Sequence, residues 1–133
     1  MRARRVLIIL ILNLQEKTGD NGEYEGWWGF DTLPKLNYEG SEKLCNYILE
    51  IAKKWVSPPF NVDGWRLDVA ADLSHSSEFN HSFWKRFRKA VKEANPDAII
   101  LAEHYGDAHS WLMGDEWDTV MNLSLIHISE PTR

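Results

Sequence analysis

From Ser41 to Met121 the apolar positions switch between helical and strand spacing. Leu44, Ile48, Ile51, Ala52 and Trp55 recur at helical spacing behind Ser41, a predicted N-cap, and Pro58-Pro59 end that segment. Val62 to Val69 then reads as a short strand with Gly64 inside it. A second helix is predicted from about Phe79 to Ala94. Phe83, Phe87, Ala90, Val91 and Ala94 form its apolar stripe, and Lys85, Arg86, Arg88, Lys89 and Lys92 its wet face. Asn95-Pro96 stops it. Ala98 to Ala102 is a near-continuous apolar run, which predicts a strand buried on both faces. A helical turn near Ser110–Met113 and a strand over Trp117–Met121 follow. Ahead of all these, residues 24–40 are rich in Gly, Trp, Tyr and Asn, contain Pro34, and read as an ordered loop.

The repeated β-α-β order predicts an α/β fold with a parallel sheet. No Gly-rich loop follows either central strand, which argues against a nucleotide-binding doubly wound sheet. A (β/α)8 barrel needs roughly 250 residues, so residues 24–122 would supply under half of one.

Composition narrows the class further. The chain has 133 residues, 44% hydrophobic and 26% charged, which fits one globular domain at most. Its net charge of −5 lacks the basic surplus of a nucleic-acid binder. Cys45 is the one cysteine, so no intrachain disulfide holds the fold. Arg2, Arg4 and Arg5 precede the apolar run Val6 to Leu12, as in a secretory signal. No small-residue cleavage site follows in Asn13, Leu14, Gln15 and Glu16. The run is too short for a bilayer, which needs roughly 20 apolar residues. A buried strand, or sequence foreign to the rest, is the plainer reading. No membrane partner is expected, and the compartment, cytoplasmic or secreted, stays open.

Two constellations carry chemistry. In Asp63-Gly64-Trp65-Arg66-Leu67-Asp68, Arg66 and Asp68 are two apart on a strand and share a face near its C-terminal end. A guanidinium beside a carboxylate keeps it ionised and oriented, as a nucleophile requires; on spacing alone a structural ion pair is the plainer reading. Glu103 ends the apolar strand, where burial would raise its pKa toward that of a general acid; a turn cap is the bland alternative. Together, Asp68 and Glu103 end consecutive strands and would face one cleft. Two carboxylates with separated pKa values are the machinery of glycoside hydrolysis. Trp27, Trp28, Phe30 and Tyr38 offer sugar-stacking faces or loop packing. His75, His81, His104 and His109 show no metal-ligand spacing, so no metal site is expected. His104 and Tyr105 follow Glu103 and are expected to line the cleft. His81 and Trp84 read as packing or surface residues.

These motifs resemble the catalytic barrel of the α-amylase family, glycoside hydrolase family 13, over about residues 20–122. GWRLDVA (64–70) resembles the family's fourth-strand motif, and ILAEHYGDA (100–108) its fifth-strand motif. LPKLN (33–37) resembles the motif in the loop after the third strand, in the form of neopullulanases and maltogenic amylases. EYEGWWGFDTLPKLNYEG and GDEWDTVMN also resemble this branch, amylopullulanases included. The resemblance implies a partial (β/α)8 TIM barrel, about strands 4 to 6 plus the end of the loop after strand 3. It implies Asp68 as nucleophile, Arg66 as its partner and Glu103 as general acid/base. It implies a retaining α-glucan hydrolase acting on starch, pullulan or maltooligosaccharides, with Trp27, Trp28, His104 and Tyr105 as substrate contacts. Retention would place the carboxyl groups about 5–5.5 Å apart. No cofactor is implied for this segment. Calcium belongs to full-length relatives, and Lys35 stands in LPKLN where the calcium form has Asp.

Departures from the family pattern set the expected boundaries. Residues 1–16 carry nothing of the third-strand motif and stay unassigned, as an out-of-frame segment would. The seventh-strand motif, with a His and a third Asp, is not found. Ala71 stands where many α-amylases have Lys. Residues 123–133, LSLIHISEPTR, resemble the translated read-through of a sequencing adapter, so His127 and Glu130 receive no role. The expectation is therefore a barrel fragment over residues 17–122, inactive by itself. The rival is a non-catalytic carbohydrate-binding or interaction protein on the same barrel. Retention of both Asp68 and Glu103 argues against it.

Overall fold

The computed structural model describes the backbone of residues 6–9 and the whole of residues 25–121. The remaining readings on 1–16, and all of those on 123–133, lie outside the described residues.

Four strands form one parallel sheet in chain order: β1 (Val6–Ile9), β2 (Gly64–Leu67), β3 (Ile99–Ala102) and β4 (Thr119–Val120). The apolar run after Arg5 thus supplies a strand, with Val6 opposite Gly64. Gly64 lies opposite Ile99, and Arg66 opposite Leu101. A Cβ at position 64 would collide with the Ile99 carbonyl oxygen, so this strand needs glycine where the backbones close up.

Helix α1 (Glu42–Val56) leads into β2, and α2 (Ser77–Ala94) leads into β3. Ser41 caps α1 as predicted, its Oγ accepting the Leu44 N–H at 3.2 Å. Helix α2 begins two residues earlier than its apolar stripe suggested, because Ser76 Oγ accepts the Phe79 N–H at 3.1 Å. The two helices pack on each other and on one face of the sheet. Trp65, Leu67, Ile100 and Ala102 point into that layer and meet Ala52, Val56, Phe83, Phe87 and Val91. The Trp65 indole donates to the Ala52 carbonyl at 3.1 Å, so even the polar atom of this core tryptophan is satisfied.

The opposite face of the sheet differs from expectation. Ile99 is 37% exposed and Leu101 half-buried, so β3 is not buried on both faces. Among the described residues, no element packs over that side. The wet face of α2 also holds more structure than its pattern predicted. Arg88 and Lys92 reach Asp118, just before β4, at 2.6 and 2.8 Å, and Asp118 accepts the Ile100 N–H at 2.9 Å. Arg86 grips Glu42 of α1 with both guanidinium nitrogens. Trp84 is core, not surface, at 1% exposure. The predicted turn at Ser110–Met113 is a short 3-10 helix at His109–Trp111. Among the described residues no helix is long and apolar enough to cross a membrane.

Candidate active site

The open face of β2 and β3 presents Arg66, Asp68 and Glu103 together. Alternation along a strand puts Arg66 and Asp68 on one side, and the parallel register brings Glu103 beside them. One arm of the Arg66 guanidinium bonds Asp68 Oδ1, and the other pairs with Glu103 Oε2 at 2.8 Å. A single planar fork therefore holds both carboxylates side by side.

The chain turns sharply just after Asp68. Val69 adopts the left-handed conformation, φ 43° and ψ 47°. A β-branched residue rarely does so, and the strain costs on the order of 1–3 kcal/mol. The turn directs the Val69 N–H to Glu103 Oε2 at 3.3 Å and the Ala70 N–H to the Glu103 carbonyl at 3.2 Å.

Glu103 corrects the sequence-based expectation of a raised pKa. Burial does push its carboxyl up. The Tyr105 hydroxyl, 2.5 Å from Oε1, works against that, together with the Val69 N–H and the Arg66 charge. These partners win, and Glu103 lies below the usual glutamate value. The apolar strand supplies the burial, but the donors that meet at its end come from other segments and outweigh it.

A cleft of about 210 Å³ opens beside this cluster, lined by Trp28, Val69, Ala71, Asp72, Glu103, His104, Tyr105 and Gly106. Trp28 is 77% exposed and stacks on Trp27 at 4.8 Å, with the rings 13° from parallel. Trp28 thus faces the cleft and Trp27 backs it. Tyr105 is 70% exposed, while His104 Nε2 donates to the Asp107 carbonyl, 3.1 Å away. Of the other loop aromatics, Phe30 is exposed and Tyr38 is buried in the core against Phe83. Lys35 pairs with Glu25 at 3.6 Å, and Glu25 meets His75 at 2.9 Å, which ties the aromatic loop to the segment after β2. Among the described residues no group of three or more His, Cys, Asp or Glu side chains is placed to hold a metal ion.

Sequence reasoning missed a second acidic centre. Glu116, 2% exposed, lies 2.8 Å from His81 Nδ1, and the His81 ring stacks on Trp111 at 3.7 Å. Burial pushes the Glu116 carboxyl up, and the His81 bond only partly offsets it. No spacing in the chain signals this pair, because α2 and the segment before β4 meet only in the folded state.

A parallel sheet with its polar cluster at the C-terminal ends of adjacent strands is the arrangement of a (β/α)8 barrel, and these strands are part of one. The family described as "Alpha amylase, catalytic domain" matches residues 16–132, which overlaps the segment read as adapter. The chain belongs to that family, on its neopullulanase-like branch. It is 38% identical over 125 residues to a cyclomaltodextrinase of Thermoanaerobacter pseudethanolicus, covering 80% of this chain and 21% of that protein. It is 46% identical over 90 residues to neopullulanase 2 of Thermoactinomyces vulgaris, covering 68% and 14%. The native Nostoc punctiforme debranching enzyme superposes with a TM-score of 0.65 at 38% identity, over 81% of this chain and 20% of that one. The chain therefore spans about a fifth or less of the length of these relatives.

Proposed function

We propose that the full-length enzyme carrying this segment is a retaining α-glucan hydrolase. The bridging of Asp68 and Glu103 by the one Arg66 guanidinium is the observation that carries the reading. Support comes also from relatives named cyclomaltodextrinase, neopullulanase and maltogenic amylase. Strands β2, β3 and β4 are read as the fourth to sixth of the barrel, with LPKLN in the loop after the third.

In the proposed reaction Asp68 attacks the anomeric carbon of the α-glucan, and the bond to the leaving oxygen breaks. Glu103 supplies a proton to that oxygen. The resulting glycosyl ester on Asp68 is then hydrolysed by water, which Glu103 deprotonates. Arg66 keeps Asp68 oriented. Trp28, backed by Trp27, offers a flat face to a sugar ring, and His104 and Tyr105 border the bond to be cut. Glu103 must gain a proton before it acts as an acid. A sugar bound against Tyr105 would compete for the hydroxyl that donates to Glu103 Oε1 and so favour the protonated acid.

No metal enters these steps. The loop motif brings an ammonium group, Lys35, to Glu25, and that charge is unsuited to a calcium ligand set.

The test is Asp68→Asn in the full-length enzyme, assayed on cyclodextrin, pullulan and maltooligosaccharides. Turnover should fall by about 10⁴-fold or more, as when other enzymes lose their nucleophile. Near-normal hydrolysis would remove Asp68 from the reaction.

A further inference from the structure

The strained turn after β2 is braced from a residue that touches neither carboxylate. Val69 and Ala70 hold Glu103 by its carboxylate and by its carbonyl. Ala70 in turn accepts, on its own carbonyl, the indole N–H of Trp84 at 2.8 Å. Trp84 sits on α2, 1% exposed, and meets Phe83, Phe87 and Trp117 edge-on at 5.2, 5.3 and 6.2 Å. Its ring is thus boxed in, and its one polar atom is directed at the turn. A left-handed valine persists only where its surroundings over-determine it. Here the surroundings are two N–H groups bonded to Glu103 on one side and the Trp84 indole on the other.

We propose that Trp84 is a positioning residue for the catalytic pair, acting through the Val69–Ala70 turn to fix the distance and orientation between Asp68 and Glu103. The inference rests on the reading of those two carboxylates given above. The indole N–H anchors the Ala70 carbonyl. That anchor fixes the direction of the Ala70 and Val69 N–H groups, and these hold both ends of Glu103. Asp68 precedes Val69 directly, so the same turn sets its carboxylate. A shift well under the length of a hydrogen bond at this turn separates nucleophile from acid.

The charged and titratable groups around Glu103 are Arg66 from β2, Asp68 just after it, Asp72 from the turn, and His104 and Tyr105 from its own loop. Substituting Trp84 alters none of them directly. It changes only how well the Val69 N–H reaches the carboxylate. Loss of a donor to the ionised form raises a carboxyl's pKa.

The experiment compares Trp84→Phe with the unsubstituted full-length enzyme on a maltooligosaccharide. Phenylalanine keeps an aromatic ring in the box and deletes the N–H. We expect kcat to fall tenfold or more with KM within about twofold. We also expect the basic limb of the pH profile, set by protonated Glu103, to move to higher pH. A lowered Tm with unchanged kcat and an unmoved pH profile would overturn the proposal, since that is what packing alone would give. If Trp84→Phe does not fold, Val69→Gly decides. Glycine accepts the left-handed conformation without strain and keeps the N–H, but loosens the turn. Tm equal to or above that of the unsubstituted enzyme with a fivefold or greater loss of kcat supports the proposal. Unchanged kcat sinks it. Asp68→Asn run in parallel separates the two levels. If it abolishes turnover while the Trp84 and Val69 variants are silent, only the positioning role fails. If it leaves turnover intact, the underlying assignment fails.

Discussion

Glu103 and Glu116 end up on opposite sides of the ordinary glutamate pKa, although the chain around Glu103 looks the more apolar. Glu103 closes an apolar strand, yet it is held low by Tyr105, the Val69 N–H and Arg66. Glu116 follows Gly114 and Asp115 in a polar stretch, yet it is buried and pushed up, with His81 its main partner. Burial acts on both. What differs is the number and charge of the donors that fold around each carboxylate. Hydropathy along the chain predicts how much water a carboxyl loses, and it is silent about the groups that replace the water.

The sharpest attempt to break this contrast is Glu103→Gln in the full-length enzyme. Loss of the acid/base should cost roughly 10²–10⁴-fold on a natural glucan. Read in kcat/KM, which reports the first step and not the later hydrolysis of the ester that also needs Glu103, the loss should be much smaller on a glucosyl fluoride, whose leaving group needs no proton. Equal losses on both substrates would show that Glu103 does not act as the acid.

Arg66→Met comes next. It deletes the charge-assisted bonds to both carboxylates, worth about 1.5–3 kcal/mol, so kcat should fall by roughly 10- to 150-fold. With the cation gone, the Glu103 pKa rises and the basic limb of the pH profile moves up. A profile left in place would show that Arg66 does not set the charge state of Glu103.

The smallest effect is expected at Glu116, and it concerns stability alone. A carboxyl with a raised folded pKa stabilises the fold fully below its unfolded pKa, and that contribution is lost as pH rises through the folded value. Glu116→Gln should therefore flatten the fall in Tm over that window, by a few °C. Glu103 has the opposite sign. Its contribution is present above the unfolded pKa and is lost as pH falls through the lowered folded value. Glu103→Gln should flatten the acid side of the Tm curve instead. Tm curves against pH for the two variants, measured side by side, would reveal the opposed slopes or their absence.

Local signals were legible in the chain where local physics decides them. The Ser41 cap, the apolar stripes of both helices and the order of the strands follow from spacing, because a helix or strand must turn its apolar side to the layer beneath it. The pairing of Arg66 with Asp68 followed from alternation on one strand. The Ser76 cap is equally local, but it lies two residues ahead of the apolar stripe, so the stripe alone does not reveal where the helix starts. The reach of Arg88 and Lys92 to Asp118 was not legible, because a charged helical face reads the same whether it meets water or a neighbouring strand.

The sequence by itself determined the helices, the parallel β-α order, the family, and the carboxylates set at the ends of two strands. All of these depend on residue types at short spacing. Only the tertiary structure decided that one guanidinium spans both carboxylates, that Trp28 and not Trp27 faces the cleft, and that Trp84 braces the turn after Asp68. It also decided which glutamate is held ionised and which is pressed toward its neutral form. These outcomes depend on hydrogen bonds and charges between segments far apart in the chain, and such partners exist only once the sheet and helices have brought them together.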